Sequence, residues 1–183
     1  MAKGQRKFLD ILERRPLILD GATGTELQKR GMPPGVSPEL WCLENPGVIA
    51  GVHRDYARAG SDAVYTCTFG ANRIKLGQYG EHDVPTVNRS LALAAREAVR
   101  GQALVLGDIG PTGGFIRPFG ELDFEEAVSV FKEQVRGLLE GGVDGFVIET
   151  MMDIQEARAA LIAVQETCDL FTMVTMTFER DGR

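Results

Sequence analysis

The chain has 183 residues, enough for one domain with a sizeable hydrophobic core. Its formal charge of −6 and pI near 5.0 argue against a surface that binds nucleic acid or an anionic membrane. No apolar run reaches the roughly 18 residues of a membrane span, and the three cysteines have the spacing of neither a disulfide framework nor a zinc ribbon. These features favour a cytoplasmic protein.

The first distinctive stretch, 17–25, has the sequence LILDGATGT. Segment 17–19 is apolar, too short for a helix and followed by glycines, so it predicts a buried strand that ends at Asp20. Gly21 and Gly24 allow a sharp turn close to a ligand, because neither has a Cβ atom. A carboxylate at this point lies where α/β proteins place their chemistry, although a simple turn and helix cap would use the same residues.

Four more strands are predicted after this stretch, each separated from the next by a helical pattern. The strands are predicted at 63–66, 103–109, 144–150 and 171–178, and the helices at 7–15, 46–59, 84–99, 124–139 and 154–164. We expect Asn45 to cap the helix that starts at Pro46, and Gly60 to end it. No segment has the pattern of a hairpin, so the alternation predicts βαβ units with a parallel sheet.

Two α/β architectures fit this order of elements: an open doubly wound sheet, or part of a (β/α)8 barrel. Length alone favours the open sheet, because a complete barrel takes about 250 residues. The first strand is not followed by a Gly-x-Gly-x-x-Gly motif, and the sequence has no Gly-Lys-Ser/Thr phosphate loop. A dinucleotide or nucleoside triphosphate site is therefore not expected.

The loops after the predicted strands carry polar and glycine-rich residues that we expect to meet on one face, because the C-terminal ends of parallel strands converge. Two carboxylates, Asp20 and Glu149, can bind an ammonium group, and free backbone N–H groups in the glycine turns can bind a carboxylate. An amino acid is therefore the expected ligand. The candidate substrate-binding residues are Asp20, Gly21, Thr23, Thr68, Asn72, Asp108 and Glu149.

Several of these candidates also have a purely structural explanation. Glu149 can cap the next helix or pair with an arginine. Asn72 can cap the segment that begins at Arg73. Thr68 can be an ordinary turn residue, and Asp108 can hold a neighbouring loop in place. The sequence alone leaves these alternatives open.

Taken together, the loops resemble the homocysteine S-methyltransferase family, which includes the homocysteine-binding domain of cobalamin-dependent methionine synthase. The matching segments are 18–27, 66–72, 107–113 and 149–157. Four motifs in the same order over nearly the whole chain make the resemblance specific. It implies a single domain of the (β/α)8 TIM-barrel type, of which residues 1–183 hold the N-terminal part, with the first five βα units and without strands six to eight.

The resemblance also implies a function, namely transfer of a methyl group to the thiol of homocysteine to make methionine. In that family a zinc ion held by three cysteines takes the sulfur as a thiolate, which attacks a methyl group on methylcobalamin, betaine or a methylsulfonium compound. The acids that match Asp20 and Glu149 would orient the amino acid. A corrinoid protein or domain would then be a candidate partner.

The sequence departs from the family at the zinc site. The family's zinc cysteines come from strands six and eight, and this sequence has no Gly-Gly-Cys-Cys segment. Cys42, Cys67 and Cys168 match none of the zinc ligands, so we expect those ligands outside this chain and no methyl transfer by the chain alone. The alternatives are a small-molecule-binding half-barrel that self-associates through an open sheet edge, and an unrelated flavodoxin-like open sheet.

Overall fold

The computed structural model describes residues 3–180 and Gly182. Four strands form one parallel sheet, in the same order as in the chain. They are β1 (Ala63–Tyr65), β2 (Leu104–Ile109), β3 (Gly145–Met151) and β4 (Phe171–Met176). Because every pair is parallel, each connection crosses the sheet through helices, as the sequence predicts.

Eight α-helices surround or precede these strands in the described part of the chain, and a 3-10 helix (Gly77–Tyr79) follows the fifth of them. They are α1 (Lys3–Leu12), α2 (Thr23–Lys29), α3 (Pro38–Glu44), α4 (Pro46–Ala59), α5 (Arg73–Leu76), α6 (Val84–Val99), α7 (Phe124–Glu140) and α8 (Ile154–Gln165). The bounds of α6 are those predicted, and α7 extends one residue beyond its prediction. Within residues 3–180, none of the helices combines the length and the apolar character of a membrane span.

The strand predicted at 17–19 does not form, so the sheet has four strands instead of five. This segment pairs with β1 through one isolated parallel bridge, between Leu19 and Ala63. In it the Asp20 N–H donates to the Ala63 carbonyl at 3.1 Å, and the Ala63 N–H donates to the Ile18 carbonyl at 3.3 Å. The N–H of Ile18, in the middle of the segment, donates to the Asp62 carboxylate at 2.9 Å. A side-chain acceptor there replaces a ladder hydrogen bond, and Asp20 still follows directly beside β1.

Asn45 occupies the position before α4, but its side chain does not cap that helix. Its Nδ2 donates at 2.9 Å to the carbonyl of Trp41, in the last turn of α3. The Asn45 side chain therefore satisfies the end of one helix instead of the start of the next. Pro46 begins α4 and Gly60 ends it with φ of 103°, as expected for a left-handed helix terminus.

Apolar side chains fill both faces of the sheet. The largest cluster packs α6, α7 and α8 on one face and includes the fully buried Phe131 and Phe146. On the other face, Phe8 from α1 stacks on Phe171 of β4, with ring centroids 4.4 Å apart. Burying each such side chain contributes about 1.5–3 kcal/mol. Burial on both faces explains the apolar runs in β2 and β3.

Candidate active site

The C-terminal ends of the strands surround a cavity of about 850 Å³. Its walls come from the turn after Leu19, the start of α3, the loop after β1, α5 and the ends of β2 and β3. Side chains from all of these segments contribute charge or hydrogen-bonding groups to it, namely Asp20, Thr23, Glu39, Tyr65, Cys67, Lys75, Asp108 and Glu149. The cavity therefore lies at the edge of the sheet formed by the C-terminal ends of the strands, where the sequence predicts a site.

Three carboxylates from different segments meet in this cavity: Asp20, Asp108 and Glu149. Asp108 lies in β2 and Glu149 in β3, and the register pairs Ile109 with Ile148, so both acids come near the ends of adjacent strands. Asp20 follows the segment that bridges to β1. The parallel arrangement thus brings together acids that are far apart in the chain.

Burial raises the pKa of Asp20 to about 7, and the negative charge of Glu149 adds to this shift. The N–H of Tyr65 donates to Asp20 Oδ2 at 3.0 Å, which favours the ionised form and opposes the shift. Asp20 is therefore divided between its acid and carboxylate forms near neutral pH.

Asp108 has its pKa raised well above the usual range, first by burial and then by the charges of Glu149 and Asp20. Its side chain is buried, and Oδ1 has no hydrogen-bond partner among the described residues. Burial also raises the pKa of Glu149, while the interaction with Asp108 lowers it. Since like charges share a desolvated space, the three acids cannot all ionise freely, and a bound cation would relieve this repulsion.

The turn after Asp20 approaches α4 closely. A Cβ atom on Gly21 would lie 2.9 Å from the hydroxyl oxygen of Tyr56, so only glycine fits there without a shift. The same hydroxyl donates to the Ala22 carbonyl at 3.1 Å. Thr23 begins α2 and lines the cavity beside this turn. The turn therefore holds Asp20 against the cavity by direct contact with α4.

Two predicted residues, Thr68 and Asn72, lie behind the cavity wall instead of lining it. The Thr68 hydroxyl donates to the Asp108 carbonyl at 2.7 Å and lies 2.6 Å from the Thr66 hydroxyl. Asn72 accepts from the N–H of Lys75 at 3.0 Å and caps α5. Both are fully buried. The structure places these two beside the backbone that carries cavity residues, and brings the other five candidates to the cavity itself.

Glu39 is a cavity residue that the sequence analysis did not identify. Its Oε2 accepts from the Ser37 hydroxyl and its Oε1 from the N–H of Gly70, both at 2.6 Å. These bonds fix the start of α3 against the loop after β1. The signal was present in the Ser-Pro-Glu sequence at 37–39, because serine before proline is typical of a helix N-terminus.

The loop after β2 is held to the start of α8 by two acids. Glu156 is buried and accepts from both the N–H and the hydroxyl of Thr112, at 2.7 and 2.5 Å. Asp153 accepts from the N–H of Ile116 at 2.9 Å. Both acids lie in segment 149–157, which resembles the family. These two residues therefore position the loop next to Asp108 instead of contacting the cavity.

The cysteines test whether this chain can bind zinc. Cys42 and Cys67 are buried with their sulfurs 3.8 Å apart, a pairing that their sequence spacing did not indicate. The hydrogen bond with Cys42 and burial raise the pKa of Cys67, which favours a thiol over the thiolate that zinc requires. Within the described ranges, no three His, Cys, Asp or Glu side chains group as metal ligands. The described residues do not fit a zinc site.

The family model described as homocysteine S-methyltransferase matches residues 17–183, which include every segment that surrounds the cavity. The chain belongs to the homocysteine S-methyltransferase family. The resemblance seen in the strand-end motifs is thereby confirmed.

Two characterised members of the family show how much of a relative this chain spans. It is 33% identical over 170 residues to the methionine synthase of Mycobacterium tuberculosis, covering 85% of this chain and 14% of that protein. It is 32% identical over 164 residues to the homocysteine S-methyltransferase of Escherichia coli, covering 78% of this chain and 52% of that enzyme. The chain thus spans about half or less of the length of these two relatives.

The fold agrees with a solved member of the family. The metallated form of the homocysteine methyltransferase MmuM from Escherichia coli superposes with a TM-score of 0.83 at 25% sequence identity. The match covers 94% of this chain and 67% of that protein. The parallel sheet is therefore similar to the TIM barrel of a homocysteine methyltransferase.

Proposed function

We propose that the cavity binds homocysteine, and that the chain is the homocysteine-binding part of an enzyme that methylates the homocysteine thiol to give methionine. The observation that carries this proposal is the meeting of Asp20, Asp108 and Glu149 in one cavity of a homocysteine S-methyltransferase family member. We further propose that residues 1–183 are the N-terminal part of a (β/α)8 barrel domain. In that barrel, segment 17–19 would occupy the position of the first strand.

The acids suit the ammonium end of an amino acid. A protonated amine placed between Asp20 and Glu149 would offset the cost of burying their charges, which is the main reason that the pKa of both is raised. Hydrogen bonds to charged groups contribute about 1.5–3 kcal/mol each, so one such pair is enough to orient the ligand. Thr23, at the start of α2, adds a hydroxyl to the same wall. With the ammonium group held in this way, the side-chain sulfur is free to meet a methyl donor.

In the proposed reaction the sulfur of homocysteine forms a bond to the methyl carbon, the bond from that carbon to the donor breaks, and the thiol proton is released. Methylcobalamin, betaine and methylsulfonium compounds are the candidate donors that the family implies. For methylcobalamin, a corrinoid protein or domain would be the partner. Zinc would supply a stable thiolate at neutral pH, and its ligands are proposed to lie outside these 183 residues.

Calorimetric titration of homocysteine into the chain, with and without added zinc, tests the binding step. Glu149→Gln removes a charge but keeps the size of the side chain, and we expect it to weaken binding by about 1–3 kcal/mol. Glu125→Gln, on the exposed side of α7, is the matched control and should bind as the unmodified chain does. Equal affinities for the Glu149→Gln variant and the unmodified chain would contradict the role of Glu149. No binding by the unmodified chain would contradict the proposed function.

A second candidate function is that of a small-molecule-binding protein that self-associates. It is favoured by β4, whose far edge pairs with no other described strand and which leaves Val174 41% exposed. Phe178, just beyond β4, is 69% exposed. Light scattering during size-exclusion chromatography tests this candidate. A dimer that Val174→Lys converts to a monomer would support it, and a monomeric unmodified chain would reject it.

A further inference from the structure

Lys75 is the one cationic side chain among the described residues that line the cavity, where four acids also lie. It belongs to α5, which starts after the Asn72 cap, and its own N–H donates to that cap. The lysine is half-buried. Its position on a capped turn fixes where its side chain leaves the backbone, so its approach to the cavity is set by the fold.

An aromatic ring holds the end of the Lys75 side chain. The Nζ atom lies 4.8 Å from the centroid of Phe69, which also lines the cavity. The Phe69 ring is itself packed on Gly110, where a Cβ atom would lie 2.5 Å from Cδ2 of the ring. Because a cation is attracted to the face of an aromatic ring, Phe69 presents the ammonium group of Lys75 at the cavity.

Lys75 forms no direct ion pair in the described part of the chain. None of the ion pairs there includes it, whereas Arg73 on the same short helix pairs with both Glu126 and Glu133. Both oxygens of Glu39, the acid on the same cavity wall, already accept hydrogen bonds. The ammonium group of Lys75 therefore contacts a ring and keeps unused hydrogen-bond donors. Its charge lowers the pKa of Glu156, but the two side chains form no hydrogen bond or ion pair.

Three glycine N–H groups in the loops after β1 and β2 are already used within the protein. The N–H of Gly70 donates to Glu39, and that of Gly110 donates to the carbonyl of Phe69. The N–H of Gly114 donates to the hydroxyl of Thr112. The expectation that the glycine turns bind a carboxylate therefore does not hold for these three amides, and Lys75 supplies a positive side chain on this wall.

We propose that Lys75, held on the Phe69 ring, binds a carboxylate of a reactant in the cavity. This inference rests on the proposed function and deepens it, because it assigns the negative end of a ligand just as Asp20 and Glu149 are assigned the positive end. A methyl-transfer site has two sources of such a group: the α-carboxylate of homocysteine, and the carboxylate of a donor such as betaine. A lysine suits either source, because its ammonium group acts as a compact charge with three donors.

Two pairs of ligands distinguish the two sources of the carboxylate. In each pair, one ligand has the carboxylate and the other lacks it. Homocysteine is compared with 3-aminopropane-1-thiol, which keeps the thiol and the amine, and glycine betaine with choline. Each is titrated calorimetrically into the unmodified 183-residue chain, Lys75→Met, Lys75→Arg and the control Lys132→Met, whose lysine pairs with Glu166 outside the cavity. Melting temperatures verify that each variant is folded, and Lys75→Gln replaces the methionine variant if that one is not.

We expect Lys75→Met to weaken one carboxylate ligand about tenfold or more and to leave its carboxylate-free counterpart unchanged. The pair that responds identifies the source of the carboxylate. Lys75→Arg should retain most of the affinity, because it keeps the charge, and Lys132→Met should behave as the unmodified chain.

The inference is overturned if Lys75→Met changes neither carboxylate ligand, or weakens both members of a pair equally. If the unmodified chain binds homocysteine, and Lys75→Met changes the affinity for neither homocysteine nor betaine, only this inference fails. If the unmodified chain binds none of the four ligands, the proposed function fails with it. The two failures are therefore distinguished by the unmodified chain.

Discussion

The backbone N–H of Tyr65 donates to the Asp20 carboxylate at 3.0 Å, so the side chain of Asp20 is bound to the end of β1. This bond explains how segment 17–19 can position an acid although it pairs with the sheet through a single bridge. The carboxylate takes the place of the next backbone acceptor in the ladder. The same contact keeps Asp20 partly buried, and burial is the main reason that its pKa rises to about 7.

The raised pKa of Asp20 predicts a pH dependence of stability. Between the ordinary pKa of 3.8 and about 7, the folded state holds this proton more tightly than the unfolded state does. The free energy of unfolding should therefore fall as pH rises through this window, with the penalty absent below it and complete above it. Asp20→Asn has no ionisable group at this position, so we expect it to gain about 4 kcal/mol relative to the unmodified chain between pH 4 and pH 8.

Urea unfolding at pH 4, 6 and 8 measures this change. The control is again Glu125→Gln, which removes one exposed carboxylate from α7. Its difference from the unmodified chain should be nearly constant with pH. If the free energy of unfolding of Asp20→Asn differs from that of the unmodified chain by the same amount at every pH, the pKa of Asp20 is not raised by folding, and the prediction is wrong.

A side chain at Gly21 is predicted to destabilise the protein. In Gly21→Ala the new Cβ would lie 2.9 Å from the hydroxyl of Tyr56, and overpacking of this kind costs about 1–3 kcal/mol. Gly24→Ala, three residues later, is the matched control, because a Cβ there meets nothing within 4 Å. Thermal unfolding should show a loss for Gly21→Ala and little change for Gly24→Ala.

Tyr56→Phe tests the cause of that loss. Removing the hydroxyl takes away the nearest atom, so the double variant should recover part of the stability lost in Gly21→Ala. The ring carbons stay 3.2 and 3.3 Å from the Cβ position, so recovery should be incomplete. Strictly additive effects of the two substitutions would show that the contact does not cause the destabilisation.

The three thiols should differ in reactivity toward an aromatic disulfide reagent. Cys168 is half-buried, whereas Cys42 and Cys67 are buried and paired. The raised pKa of Cys67 further reduces the thiolate that such a reagent needs. We expect the native chain to react at one thiol and the denatured chain at all three.

The Cys168→Ser variant assigns the reactive thiol in that experiment. Its native form should show no fast reaction, and its denatured form should show two thiols. A fast reaction that persists in this variant would mean that the Cys42–Cys67 pair is accessible, which contradicts the burial seen in the structure.

The sequence by itself determined the alternation of helices and strands, the parallel sheet and the family. The sequence predicts helix α6 with its observed bounds, because its apolar residues recur with the period of a helix and form the buried face. The start of α3 at Pro38 is not among the predicted helices, since the prolines and glycines at 31–38 are typical of an irregular segment. Segment 17–19 failed as a strand because Asp62 competes for its backbone N–H, which no local pattern records.

Only the tertiary structure decided which of the strand-end residues share the cavity. Asp108 and Glu149 are adjacent because of the register between β2 and β3, whereas Thr68 turns behind the wall to support Asp108. The entry of Lys75 into the cavity likewise depends on a packed ring and on a short capped helix. Sequence pattern specifies which face of an element is buried, but distances between elements follow from crossovers and register. These depend on contacts between residues that are far apart in the chain.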